Sequence, residues 1–347
     1  MISCFEKSRR CVLRMKLTTT LFCTVIFVFC SAHAHGQVAK VESAPASAPD
    51  RCSSEKAAAA KEPGSGAAYA GLAYCQIKFS RYKEAIESAR MAIKLQPDSW
   101  GSFNNLGWAM LMTGQKEESI PMFQESIRLN PRYYLSHNNI GYAYSLLARN
   151  DDAISEFRSA IDLNPDYVTA HINLYNAYYR TAQYREAATE AETLIRLEPK
   201  VSNHWERAGA SYLNMGEQQK ALTAFQQQAA LSPSSTQALR NLSVAQMGTG
   251  DHAGAVETLK QLIALKPKFY DALFSLGMAY TMMARHDDAI NVLQQAIEVK
   301  PNSERAMMAL GMAYLAKNDK ESARKLLPRL KELDDTMAGV LENALAR

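Results

Sequence analysis

Residues 134–167 read YLSHNNIGYAYSLLARNDDAISEFRSAIDLNPDY. Within this stretch His137, Ile140, Gly141 and Tyr144 fall at i, i+3, i+4 and i+7 and form one stripe on a helix. Ala153, Phe157 and Ala160 form a second stripe, and Pro165 closes it, because proline has no amide hydrogen and restricts the residue before it. The stretch is therefore a helix, a turn and a second helix. Pro165 also belongs to a series: Pro97, Pro131, Pro165, Pro199, Pro233, Pro267 and Pro301 follow one another at intervals of 34 residues. With the proline at position 32, units run over 66–99, 100–133, 134–167, 168–201, 202–235, 236–269, 270–303 and 304–337, the last with Asp335 where proline would fall.

The other units carry the same pattern. The second has Phe103, Leu106, Gly107, Phe123 and Pro131, and the seventh has Leu273, Leu276, Gly277, Tyr280, Ala289, Ala296 and Pro301. A large residue at position 4, Leu at 7, Gly or Ala at 8, Tyr at 11, Ala at 20, Phe at 24, Ala at 27 and Pro at 32 resembles the tetratricopeptide repeat. The resemblance covers about residues 66–337. It implies an all-α fold, a right-handed solenoid of about eight helical hairpins, each covering the apolar face its neighbour leaves bare. Small residues at position 8 let helices approach. The last unit needs a lid, and Thr336 to Ala346 (TMAGVLENALA) is amphipathic through Met337, Val340, Leu341 and Leu345, so residues 338–347 are expected to form a capping helix. Tyr175 at position 8, Gln228 at position 27, and Ser243 and Gln246 in the sixth unit depart from the pattern. Gly248, Gly250 and Gly254 make that unit a candidate hinge.

Ahead of the repeats, a basic stretch ending at Lys16 precedes fourteen mostly apolar residues, Leu17 to Cys30, and then Ala32-His33-Ala34. This is the pattern of a cleaved secretory signal peptide over residues 1–34, starting at Met1 or Met15. It predicts an exported protein, periplasmic or secreted, that meets a membrane only through targeting. Cys4, Cys11, Cys23 and Cys30 leave with the leader. Cys52 and Cys75 remain, either paired in an oxidising compartment or as a free thiol and a small buried residue. Residues 35–65, rich in Ala, Ser and Pro, read as a flexible linker with one short helix around Ser54 to Lys61.

The chain carries 39 basic and 35 acidic residues, and the leader holds five of the former against one of the latter, so the remainder is balanced. No basic field remains to attract phosphate, and a nucleic-acid partner is not expected. No phosphate loop, zinc-protease helix or nucleophile elbow occurs, and no Cys or His cluster has ligand spacing. Neither an enzyme nor a cofactor nor a metal is expected. His137 and His171 share position 4 and read as core or core-edge residues. Asp151-Asp152 and Asp287-Asp288 read as solvated first-turn charge that complements the helix dipole.

If the family geometry holds, positions 2, 5, 6, 9, 12 and 13 of each first helix line a concave groove. The resemblance then implies a binding surface for an extended protein or peptide partner in the cell envelope. Its candidates are Asn104, Asn105, Asn138, Asn139, Asn173, Asn176, Arg207, Arg240 and Asn241, whose carboxamides can pair with main-chain amides. The apolar candidates are Phe274, Met278, Met308 and Met312, which either accept varied side chains or are buried by closure of the stack. Two other roles stay open: a structural subunit of an envelope secretion or pilus machine acting through convex or end surfaces, and an accessory subunit of an enzyme complex.

Overall fold

The computed structural model describes residues 51–346, and all of their regular structure is helical. The leader read over residues 1–34 and the linker as far as residue 50 lie outside the described residues. The chain divides between Ser159 and Ala160 into two compact units.

The amino-terminal unit opens with α1 (Ser53–Lys61), followed by the hairpins α2 (Gly66–Lys78) with α3 (Tyr82–Leu95) and α4 (Trp100–Met112) with α5 (Lys116–Leu129), then α6 (Tyr134–Leu146) and α7 (Asn150–Leu163), inside which the division falls. First helices pack in sequence, α2 on α4 and α4 on α6. Helix α1 has no apolar stripe to hold it. What holds it is a disulfide between Cys52 and Cys75, which closes 23 residues and buries Cys52 fully. A bridge over a loop of this length contributes about 3 kcal/mol in the chain-entropy account. Residues 53–61 form the short helix expected around Ser54 to Lys61, tied to α2 by the bridge.

The carboxyl-terminal unit contains the hairpins α8 (Val168–Arg180) with α9 (Tyr184–Leu197), α10 (Ser202–Asn214) with α11 (Gln218–Leu231), α12 (Thr236–Thr249) with α13 (His252–Leu265), and α14 (Tyr270–Met282) with α15 (His286–Val299). After α16 (Glu304–Ala316) the pattern changes. The second helix of the last repeat is split into α17 (Lys320–Lys325) and α18 (Leu327–Leu333), and α19 (Asp335–Leu345) follows. Pro328 causes the split, since it is tolerated only in the first turn of α18. The eighth unit is therefore not the full hairpin expected over 304–337. The capping helix begins earlier than expected, at Asp335, with the Asp334 carboxylate accepting from the Met337 amide at 2.9 Å.

One contact recurs through both units. A Cβ built on Gly107 would sit 2.9 Å from the ring of Phe123, and one on Gly141 would sit 2.8 Å from Phe157. Gly209 meets Phe225, and Gly277 meets Leu293, in the same way. Position 8 is empty so that position 24 can be large. The departures obey the rule in reverse: where Tyr175 occupies position 8, position 24 is Ala191, and both are buried. In the last repeat Gly311 is filled by Leu341 of α19, 2.8 Å from a built Cβ, while Leu327 packs partly buried against the same cluster. Position 20 is fully buried in every repeat, as Ala85, Ser119, Ala153, Ala187, Ala221, Ala255, Ala289 and Ala323.

The buried polar departures are satisfied. Gln246 accepts from Thr258 at 2.8 Å, and Gln228 donates to Glu206 at 3.1 Å. Position 15 has positive φ in all eight repeats, at Ser80, Gly114, Ala148, Ala182, Gly216, Gly250, Ala284 and Asn318. Gly250 therefore supplies a conformation that every inter-helix turn here requires, and α12 and α13 are continuous on either side of it.

His171 is tied at both ring nitrogens, Nδ1 to Glu190 at 2.6 Å and Nε2 to the Pro165 carbonyl at 2.9 Å. With Glu190 ionised both partners are acceptors, an arrangement that favours the imidazolium. The hydrogen bond to Glu190 accordingly raises the His171 pKa, against the opposing effect of burial. His137 has the same two kinds of partner, Glu156 at 2.7 Å and the Pro131 carbonyl at 3.4 Å. Asp152 and Asp288 pair with Arg149 and Arg285 at 2.7 Å on the surface, as first-turn charge.

Two outcomes follow from this packing. Gly141→Ala should lower the melting temperature by an amount equivalent to about 1–3 kcal/mol of overpacking, whereas Gly71→Ala, whose added methyl meets nothing within 4 Å, should raise it by up to about 1 kcal/mol. Equal effects would contradict the close approach. For His171, a folded-state pKa above the ordinary value of about 6.5 means that its stabilisation is fully present below that pH and is lost as pH rises through the folded value. The deficit in melting temperature of His171→Leu relative to the parent should shrink between pH 6 and pH 9, and a constant deficit would contradict the charged pair.

Candidate functional site

In the amino-terminal unit, positions 6 and 9 of a first helix are one turn apart and share a face. On α2 they are Gly71 and Tyr74, on α4 Asn105 and Trp108, and on α6 Asn139 and Tyr142. Tyr74 is 62% exposed, and Trp108 and Tyr142 are half-buried with ring centroids 6.0 Å apart. Among the described residues neither the Asn105 amide nor the Trp108 indole N–H has a hydrogen-bond partner. Three aromatic rings and free polar groups thus follow one another across three consecutive helices. Such rings combine a large apolar area with a polar tip.

The expected asparagine surface is only partly at the surface. Asn104 and Asn138 are buried, and Asn104 faces the next first helix, α6. The Asn104 carbonyl oxygen accepts from Ser136 at 3.2 Å and from Asn139 at 3.0 Å, and Asn138 donates to Asn139 at 3.3 Å. Ser126 joins the same network through Ser136 at 2.7 Å. Asn104 is therefore corrected from a groove residue to an interhelical one and Asn138 to a buried one, while Asn105 and Asn139 are half-buried.

In the carboxyl-terminal unit Asn173 is half-buried and Asn176 exposed on α8. Arg207 is half-buried, with its guanidinium 5.7 Å from the Tyr175 ring centroid and its Nη1 donating to His204 Nδ1 at 3.2 Å. Desolvation pushes its pKa down. Its charge is therefore engaged inside the protein. Asn241 accepts from Gln237 at 2.8 Å and donates to Gln228 at 3.1 Å, and Arg240 beside it is half-buried. Phe274 and Met308 are buried, the first stacked on Tyr270 with centroids 6.0 Å apart and the second within the terminal cluster around Leu330 and Leu341. Both leave the set of surface candidates. Met278 stays half-buried and Met312 is 40% exposed.

A surface cavity of about 310 Å³ lies elsewhere in this unit, between α9, α10 and α11, lined by Ile195, Trp205, Ala208, Tyr212 and Ala224 with Glu192 and Lys220 among the lining residues. Its origin is legible. Position 7 is Leu or Ile in the seven other repeats, as in Leu174 and Leu242, and is Ala208 here. The groove expectation did not include it. Among the described residues no group of three or more His, Cys, Asp or Glu could hold a metal ion.

Stacked helical hairpins of this size and register define a class, the all-α repeat solenoids. Two sequence models described as "Tetratricopeptide repeat" match, one over residues 147–210 and 280–340 and the other over residues 55–99 and 104–168. Together they span more than half of the chain, and the chain belongs to the tetratricopeptide repeat family. Among solved structures, it is similar to YrrB, described as a TPR protein with an unusual peptide-binding site, at 20% identity over 54% of this chain and 96% of that one, with a TM-score of 0.50. A tetratricopeptide repeat protein from Parabacteroides merdae aligns at 15% identity over 72% of this chain and 99% of that one, with a TM-score of 0.49. The structure of Naa15/Naa10 bound to HypK-THB aligns at 15% identity over 77% of this chain and 42% of that one, with a TM-score of 0.55. At such identities the likeness is one of fold. A comparison with curated proteins finds no match.

Ala208→Leu should fill the cavity and raise the melting temperature by the equivalent of roughly 0.5–2 kcal/mol. A fall instead would show that the lining has already closed around the smaller side chain.

Proposed function

We propose that this chain is a non-catalytic scaffold that holds an extended segment of another protein along the first-helix face of its repeats. The observation that carries this reading is the row of Tyr74, Trp108 and Tyr142 beside Asn105 and Asn139 on successive helices of one unit. Aromatic rings with free polar tips supply affinity through apolar area, and the carboxamide and indole groups satisfy a bound main chain without reading its side chains. Membership of a repeat family whose units stack into continuous faces supports a binding role. The leader pattern of residues 1–34 supports export and a partner in the cell envelope, and the Cys52–Cys75 bridge agrees with an oxidising compartment.

A second reading, assembly through a surface other than this face, draws on the cavity at Ala208, which opens between α9, α10 and α11. The first reading rests on three aromatic rings in register and the second on one missing side chain, so the first is preferred.

Peptides selected by display against the protein should bind with micromolar affinity. Trp108→Ala should weaken them about thirtyfold, the scale of an aromatic hot spot near 2 kcal/mol, and Asn105→Ala should weaken them by a smaller factor. Calorimetric titration checks both, and unchanged affinity in the two variants would remove this face from the account.

A further inference from the structure

In the carboxyl-terminal unit three cations sit on three aromatic rings around the start of α14. Lys266 Nζ lies 4.6 Å from the Phe269 ring centroid, Lys300 Nζ lies 5.2 Å from that of Tyr270, and the Arg305 guanidinium lies 4.9 Å from that of Phe274, which stacks on Tyr270. The two lysines come from the turns ahead of α14 and α16, and Arg305 from the first turn of α16. Among the described residues none of the three forms an ion pair, and Arg305 Nη2 is buried without a hydrogen-bond partner. Asp271 and Glu304 also act on Tyr270 but pair with none of these cations. Beyond Arg305 the same face of α16 carries Met312, 40% exposed, and beyond Phe274 the same face of α14 carries half-buried Met278 and then Met282, 42% exposed. We propose that this corner binds a peptide segment of a partner protein through an acidic side chain seated at Arg305 and Lys300 and an apolar side chain seated on Met282 and Met312. The site belongs to the carboxyl-terminal unit and does not rest on the aromatic row of the other unit.

A ring beneath a cation fixes its position through the quadrupole but does not neutralise its charge. The three cations are thus ordered in advance and still lack an anion. A guanidinium held in this way offers its remaining N–H groups to a carboxylate as a fork. The surface beside the cations decides what carries that carboxylate. Methionine side chains are flexible and polarizable, and accept apolar side chains of varied shape. A phosphate backbone needs cations along its whole path, and outside the leader the charge of this chain is balanced. The rings that could stack on bases are covered by the cations instead. Spacing adds a register. Arg305 and Met312 are i and i+7 on α16, which sets them about 10.5 Å apart along the axis at 1.5 Å per residue. In a polyproline II segment residues three apart return to the same side after roughly 9 Å. The segment that fits therefore carries its acidic and apolar side chains three residues apart.

The test labels the methionine methyl groups of the protein and follows them by NMR during titration with an end-blocked peptide, Gly-Ser-Leu-Pro-Ala-Glu-Glu-Ser, and with the same residues in reverse order. One of the two is expected to shift the Met282 and Met312 methyl signals. Arg305→Gln in the protein, or glutamine for both glutamates in the peptide, is expected to weaken binding about tenfold, the scale of one charge-assisted hydrogen bond. Met312→Gln should weaken it by a smaller factor, and Arg305→Lys should retain more affinity than Arg305→Gln. Absence of binding by both peptides, equal affinity for the glutamate and glutamine forms, or binding unchanged by Arg305→Gln would overturn the proposal. So would tighter, Arg305-dependent binding of an oligothymidylate titrated in parallel, which would make the partner a nucleic acid. Shifts confined to methionines of the amino-terminal unit would also overturn it, while leaving the reading of the aromatic row in place.

Discussion

Packing within most repeats depends on an inverse relation of size between two positions, the first repeat, with Ala73 and Ala89, being the exception. Where position 8 has no side chain, as at Gly107, Gly141 and Gly209, a phenylalanine ring from position 24 lies where the missing Cβ would be. Fully burying such a ring is worth roughly 1.5–3 kcal/mol, but the larger consequence is geometric. The two helices of a hairpin are drawn to a fixed separation, and repeats built on the same separation stack with their first helices in register. With Tyr175 and Ala191 the bulk has changed sides. At Gly311 the filling side chain is Leu341, which α19 inserts from outside the hairpin.

Register is what turns single side chains into a surface. In the amino-terminal unit residues at position 9 follow one another because α2, α4 and α6 begin at the same place in their repeats and pack in sequence. Tyr74, Trp108 and Tyr142 become a row for that reason, although 34 residues separate each from the next in the chain. In the amino-terminal unit position 5 is buried at Asn104 and Asn138, and Asn104 accepts from Ser136 and Asn139 of the next first helix. One side of the helix supplies cohesion and the neighbouring side is left for a partner.

The repeat boundaries and the helices were legible from the sequence because a 34-residue period multiplies every local signal by the number of repeats. The short helix before the first repeat and the amphipathic helix at the end were legible from composition and periodicity. What escaped was of two kinds. Burial at position 5 depends on which neighbour faces it, and Asn, Phe and Met at that position give no warning: Asn104, Asn138, Phe274 and Met308 all read as surface candidates and are all buried. The split at Pro328 and the substitution of Leu341 for Leu327 are tertiary exchanges that no single repeat encodes. The aromatic row and the cavity at Ala208 could both have been found by reading one repeat position down all eight units, the first as Tyr, Trp, Tyr at position 9 and the second as a lone Ala among seven large residues at position 7.

The most direct measurement of the central claim is a hydrogen-exchange footprint of the protein saturated with a selected peptide. Slowed exchange on the outer faces of α2, α4 and α6, centred on Tyr74, Trp108 and Tyr142, with the second helices α3 and α5 unchanged, is the result this account predicts. A footprint on α3 and α5, or one confined to the lining of the cavity around Ala208, would contradict it.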